Sequence, residues 1–157
     1  MPIDVPETLA SLQDGGMRLL AAAMLAAILG LDREIKDKPL GLRTNMLVSI
    51  GACSFGLIVM DLTELFASRE DLGKIDPARV VEGIVGGIGF LGTGAIIQSR
   101  GEVVGATTGA TIWVVGAIGL ACGFGLYMHA ALVAVIAFLV LTVLGMITRG
   151  LGKDDPG

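Results

Sequence analysis

The chain has 157 residues, 54% of them apolar and only 17% charged, with 24 glycines and a formal net charge of −4. Ordinary soluble domains carry about a quarter charged residues and lack uncharged runs of membrane length, and 11 basic against 15 acidic residues leave no basic field for nucleic-acid phosphates. What survives these exclusions is a small multi-pass membrane protein.

The first residues carry Asp4, Glu7 and Asp14 without Lys or Arg, the reverse of a secretory leader, so the first apolar run is expected to stay in the protein. Five apolar runs follow: 16–31 interrupted by Arg18, 45–60, 80–97 with Glu82 inside it, 103–124 and 126–147. A spanning helix needs about 20 residues, so the first two must borrow flanking residues. Hydrocarbon forces every backbone N–H and C=O to pair internally, and the chain lacks the long alternation of a membrane barrel. The expected fold is therefore all-α, a polytopic membrane bundle of about five transmembrane helices. Four spans with a re-entrant segment is the alternative. The expected layout is an acidic tail over 1–15, a transmembrane domain over 16–147 and a short cytoplasmic tail over 148–157.

The longest connection, 61–79, reads as a lid or interfacial loop with a helix-like stretch ending near Gly73, followed by Asp76-Pro77 as the start signal of the third span. Lys and Arg counted over the short loops set the orientation. Arg33, Lys36, Lys38, Arg43, Arg100, Arg149 and Lys153 fall on one side, and Arg18, Arg69, Lys74 and Arg79 on the other. The imbalance favours N-out and C-in.

Glycines crowd the stretch from Gly83 to Gly125, with Gly89, Gly92 and Gly94 inside it and small-xxx-small pairs at Gly83/Gly87, Gly105/Gly109 and Gly119/Gly123. Helices in lipid associate through close backbone approach, so the third and fourth spans are expected to form the tightly packed centre. In the second span Asn45, Ser49, Cys53 and Gly56 fall on one small, polar face, which should look inward. Thr107 and Thr111, one turn apart with Thr108 beside them, are expected to satisfy carbonyls or bridge helices.

Gly87-Ile88-Gly89-Phe90-Leu91-Gly92 matches the letters of a dinucleotide fingerprint, but no strand precedes it and no acidic residue follows about 20 positions on. Cys53 and Cys122 lie in apolar runs without partners at ligand spacing and read as small buried residues. His129, the sole histidine, reads as interfacial, and no catalytic motif or cofactor is implied. Ionisable groups at membrane depth are the sharpest functional candidates. Glu82 is one, with Arg79 three residues before it as a local partner. The other is a charge cluster, where Asp32-Arg33-Glu34 leaves the first span and Arg43-Thr44-Asn45 enters the second. It is either a salt-bridged loop or the mouth of an ion or ligand site.

These residues also carry a resemblance. Gly30-Leu31-Asp32-Arg33-Glu34, Lys38-Pro39-Leu40-Gly41-Leu42-Arg43-Thr44-Asn45-Met46-Leu47-Val48, Asp76-Pro77-Ala78-Arg79, the glycine run 87–96 and Gly105-Ala106-Thr107-Thr108-Gly109-Ala110-Thr111-Ile112-Trp113 together resemble the membrane domain of the MgtC/SapB family. The resemblance implies a bacterial inner-membrane protein of about five helices, associated with growth under magnesium limitation and survival inside host cells, with no established catalytic activity. Some members are thought to restrain the F-type ATP synthase. It also marks Asp32, Arg33, Glu34, Arg43, Thr44, Asn45, Asp76, Arg79, Thr107, Thr108 and Trp113 as motif-matched. The family commonly has His at the position of Asn45, and Glu82-Gly83 stands where small residues and Gln are expected. The chain ends at Gly157, short of the soluble C-terminal domain of longer members.

Three functions compete. One is a non-enzymatic regulator acting through helix contacts with another membrane complex, such as the ATP synthase or a transporter. A second is a small Mg²⁺ or H⁺ transporter using the oxygens of Asp32, Glu34, Asp76 and Glu82, lined by Asn45 and the threonines. A third is a lipid- or small-ligand-binding bundle with a cavity between the third and fourth spans. A homo-oligomer in the membrane lipid is expected in the last two.

Overall fold

The computed structural model describes residues 9–68, 76–99 and 102–150. Its elements are α1 (Leu9–Ile35), α2 (Leu42–Ala67), α3 (Pro77–Gly94), a two-stranded ribbon of β1 (Ile97–Ser99) and β2 (Glu102–Val104), α4 (Ala106–Gly123), and α5 (Tyr127–Leu139), which continues through a π-helical turn (Val140–Leu144) into α6 (Gly145–Gly150). The architecture is the expected all-α membrane bundle. Residues 1–8, the loop segment 69–75 with Arg69 and Lys74, Arg100, and Lys153 in the C-terminal tail lie outside the described residues.

Both short runs did borrow flanks. α1 has 27 residues and α2 has 26, the latter absorbing the helix-like segment expected after Met60 up to Ala67. Four helices are long and apolar enough to cross a membrane: α1, α2, α4 and the continuous helix from Tyr127 to Ile147. α3, with 18 residues and Arg79 and Glu82 in its first half, is not among them.

One expectation is corrected between α3 and α4. Ile97, Val103 and Val104 are not helical but pair in the antiparallel ribbon, with Ile97 opposite Val104 and Ser99 opposite Glu102. Polar residues 98–102 interrupt the apolar run, and the β-branched residues flanking them suit strands. Gly105 ends the ribbon at φ 87°, and a Cβ there would collide with the Ala95 carbonyl, so only glycine fits.

α4 is the central helix, mostly buried, whereas α1, α2 and the continuous helix from Tyr127 to Ile147 expose most of their length. The core joins Ala22, Ala26 and Leu29 of α1, Cys53 of α2, Val115, Ile118 and Cys122 of α4, and Ala130 and Ala134 of α5. Small residues dominate because lipid gives helices little hydrophobic incentive to associate, and close van der Waals contact must supply it. Both cysteines are buried and free, as expected. A Cβ at Gly119 would collide with the Ser49 carbonyl, and one at Gly123 would lie 2.6 Å from the Cys53 carbonyl, so α2 and α4 meet backbone to backbone.

The packed centre thus lies between α2 and α4, not between the third and fourth spans. α3 touches α4 through Gly92 against Gly109 and Ile88 against Gly116, and Gly92 is its one buried residue among those described. A Cβ at Gly83, Gly87, Gly89 or Gly94 would meet nothing within 4 Å. The pattern of contacts, Arg18 to Gly123 and Arg33 to Thr108, runs α1 antiparallel to α4. Gly92 to Gly109 and Ile88 to Gly116 do the same for α3.

Candidate functional site

α1 ends in a tight turn in which Asp37 (φ 50°) and Leu40 (φ 55°) take left-handed backbone, and Lys38 N–H donates to the Arg33 carbonyl at 3.0 Å. This six-to-one bond with a left-handed residue before it is a Schellman-type stop. The chain then reverses into α2 within a few residues, which brings the motif-matched residues of both helices together.

Arg33, 3% exposed, organises the junction. Its Nε and Nη2 both donate to the Pro39 carbonyl, at 3.1 and 3.0 Å, and Nη2 also donates to Thr108 Oγ1 on α4. A planar guanidinium serves two acceptors in fixed directions, which lysine cannot do. Glu34 reaches across the turn and accepts from the Leu42 backbone N–H at 2.9 Å, satisfying an otherwise orphaned donor at the α2 N-terminus. Its carboxylate occupies the space a side chain at Gly41 would need.

Asn45 locks the same turn from the other side. Its Nδ2 donates to the Leu40 and Gly41 carbonyls, at 2.7 and 2.8 Å, while its Oδ1 is buried without a partner. The inward face read from the sequence is present: Asn45, Ser49, Cys53 and Gly56 are all buried, and Ser49 Oγ donates to the Ala22 carbonyl of α1 at 3.0 Å. One turn before Arg33, Gly30 lets α1 approach α2, since a Cβ there would stand 2.8 Å from Leu42 Cα.

Arg33, Asn45 and Thr108 are therefore the buried part of a hydrogen-bonded clamp joining α1, α2 and α4, with the exposed Glu34 capping α2 at its edge. Asp32 is occupied separately. It pairs with Lys36 at 2.6 Å and accepts a long 3.5 Å bond from Thr142 of the π-helical turn. Thr111 donates to the Thr107 carbonyl at 2.7 Å, the backbone-satisfying role expected of it. Asp76 accepts from Ala78 N–H at 3.0 Å with Pro77 in the first turn, a helix N-cap as the sequence indicated.

The remaining candidates are not drawn in. Arg43, Arg79 and Glu82 are exposed, and Thr44 is half-buried. No ion pair joins Arg79 to Glu82 among the described residues, so the local pairing expected there is absent. Trp113 is 52% exposed beside α3, where it helps line an apolar groove with Val85 and Ile88. His129 stands exposed in the first turn of α5. The glycine run 87–92 is helical, which removes the strand-turn-helix context of a dinucleotide site.

The sequence reading passed over two features. Arg18 pairs with Asp14 at 2.7 Å and donates to the Gly123 carbonyl at 2.8 Å, placing its positive charge at the C-terminus of α4, where the helix dipole favours it. An arginine interrupting an apolar run was the available signal. Glu34 as a cap for a different helix had none.

Fold and junction define a multi-pass helical membrane protein whose polar motif residues tie its helices together at one end of the bundle. The chain belongs to the MgtC family, which matches residues 19–149. It is 33% identical to Protein SapB of Bacillus subtilis over 141 residues, covering 88% of this chain and 60% of that protein. It is 35% identical to the putative magnesium transporter YhiD of Escherichia coli over 132 residues, 84% and 61% of the two chains. To Protein MgtC of Brucella abortus it is 39% identical over 126 residues, 80% and 49% of the two chains. The chain thus spans between about half and three-fifths of the length of these relatives. No solved structure matches it at a significant level.

Proposed function

We propose that this protein is a non-enzymatic regulator in the bacterial inner membrane, acting through helix contacts with another membrane protein during adaptation to scarce magnesium and to life inside a host. The observation that carries the reading is the outer face of α3. Gly83, Gly87 and Gly94 fall on one side of that helix with Phe90, 79% exposed, opposite the side where Ile88 and Gly92 meet α4. A glycine stripe against lipid leaves backbone poorly covered, and a second helix covers it well. Arg79 and Glu82 flank the stripe as polar handles. The N-out, C-in orientation places the Arg33 clamp on the cytoplasmic side.

The test is site-specific photocrosslinking from position 87 in native membranes. Retrieval of one stoichiometric membrane protein supports the reading, and a crosslink only to a second copy makes this face a homo-oligomer contact instead. Recovery of lipid adducts alone refutes it.

The name of the Escherichia coli relative favours a second reading, a magnesium transporter. Against it stands the division of labour among the four carboxylates: Asp32 pairs with Lys36, Glu34 caps α2, Asp76 caps α3, and Glu82 is exposed. Magnesium needs several oxygens converging around one ion. Saturable magnesium uptake into sealed liposomes holding the purified protein, lost in Glu82→Gln, would establish transport.

A further inference from the structure

The turn that joins α1 to α2 is strained at its centre. Leu40 sits at φ 55°, in left-handed backbone, directly after Pro39. Asp37, at φ 50°, tolerates that region through its short polar side chain, whereas a bulky residue such as leucine is an outlier there. A proline followed by a left-handed residue makes a turn that glycine or asparagine serves best. In Lys38-Pro39-Leu40-Gly41 the glycine stands one place too late. The ring of Pro39 fixes φ on one side of Leu40, and the Glu34 carboxylate fills the space beside Gly41 on the other.

Side chains hold three successive carbonyls of this segment. Arg33 donates twice to Pro39, and Asn45 donates to Leu40 and to Gly41. The next amide, that of Leu42, donates to Glu34. Strained backbone persists where its surroundings over-determine it, and such positions concentrate in switch regions. One of these holds reaches outside the turn, because the Arg33 guanidinium also donates to Thr108 of α4. The strained turn is thus tethered to the central helix of the bundle.

We infer that the α1–α2 turn is a spring-loaded latch: the clamp holds Leu40 left-handed, and a shift of α4 that withdraws Thr108 lets the turn open and frees the first turn of α2. This goes beyond the docking of a helix on α3 and does not rest on it. Hydrogen exchange of the full chain in lipid nanodiscs, read at the amides of Lys38 and Leu42, tests it. Thr108→Val keeps the shape of the side chain and removes the acceptor, and should speed exchange about tenfold, the scale of one hydrogen bond to a charged group. Leu40→Gly removes the Cβ that makes left-handed backbone costly, whereas Leu40→Ala gives up the same packing and keeps that Cβ. The glycine variant should exchange about tenfold more slowly than the alanine variant. Combined with Thr108→Val, Leu40→Gly should offset the lost protection where Leu40→Ala does not. Glycine loosens an unstrained turn, so a glycine variant that exchanges as fast as the alanine variant, or faster, overturns the spring. Unchanged exchange in Thr108→Val overturns the hold by α4. If Thr108→Val does not fold, the glycine and alanine pair decides alone.

Discussion

Two glycine-rich surfaces of this bundle look alike in sequence and differ in structure. Along the α2–α4 seam, Gly119 and Gly123 sit against the carbonyls of Ser49 and Cys53, with no room for a methyl group. On the outer face of α3, Gly83 and Gly87 have the same four-residue spacing and nothing within 4 Å. Spacing states that a helix can be approached closely, not that the approaching helix belongs to the same chain. The seam spends its glycines on the fold, and those on the outer face of α3 touch nothing within the chain.

The largest effect should come from Gly119→Val. The side chain collides with the α2 backbone, which cannot rotate away, and the seam must open. Overpacking a core costs about 1–3 kcal/mol where side chains can yield, and here backbone must move, so the expected loss is at the top of that range or above. A steep fall in the melting temperature of the detergent-solubilised protein checks it. A variant as stable as the parent would show that α2 and α4 do not meet backbone to backbone.

Arg33→Ala comes next. It strips the Pro39 carbonyl and Thr108 of a charged donor, and hydrogen bonds to charged groups contribute about 1.5–3 kcal/mol each. Because the clamp is one unit, Arg33→Ala and Thr108→Val should be non-additive in a double-mutant cycle, with a coupling of about 1 kcal/mol. Arg33→Lys should not restore stability, since an ammonium lacks the fork that serves both acceptors. Additive losses would mean that Thr108 is a bystander. Smaller again is Asp76→Ala, expected to cost about 1 kcal/mol by removing the α3 cap. Faster hydrogen exchange confined to the first turn of α3 is its signature, with the clamp residues unaffected.

How much of this was legible depended on whether the information was local. The inward face Asn45, Ser49, Cys53, Gly56 follows from helical period, and the Asp76 cap from the residue types around Pro77. The tight seam was half legible: Gly119/Gly123 announced a close approach, but nothing local says that the partner is Ser49 of α2. The Arg33 to Thr108 bond spans 75 residues of sequence, and Glu34 caps a helix it does not belong to. The ribbon at 97–104 was misread because its apolar ends continue the helical runs on either side, and only the left-handed Gly105 stops α4 from starting earlier. The peripheral place of α3 was hidden for the reason that makes it interesting, since its glycines carry the same signal as those of the seam.

Gly87→Ala separates the two surfaces most cleanly because its expected effect on the isolated chain is the smallest. The added methyl group meets nothing, and alanine is favoured over glycine within a helix by about 0.8–1 kcal/mol, so the protein alone should be equal or slightly more stable. A second helix seated on the face would be pushed outward, and crosslinking or co-purification through α3 should fall several-fold while the melting temperature holds. Gly119→Ala should do the reverse, lowering stability through its clash with Ser49 and leaving the outer face of α3 untouched. If Gly87→Ala instead destabilises the purified monomer, α3 packs against its own bundle more closely than its open glycines indicate. The contrast between a glycine for folding and a glycine for association would then collapse, and with it the proposed docking of a second helix on α3.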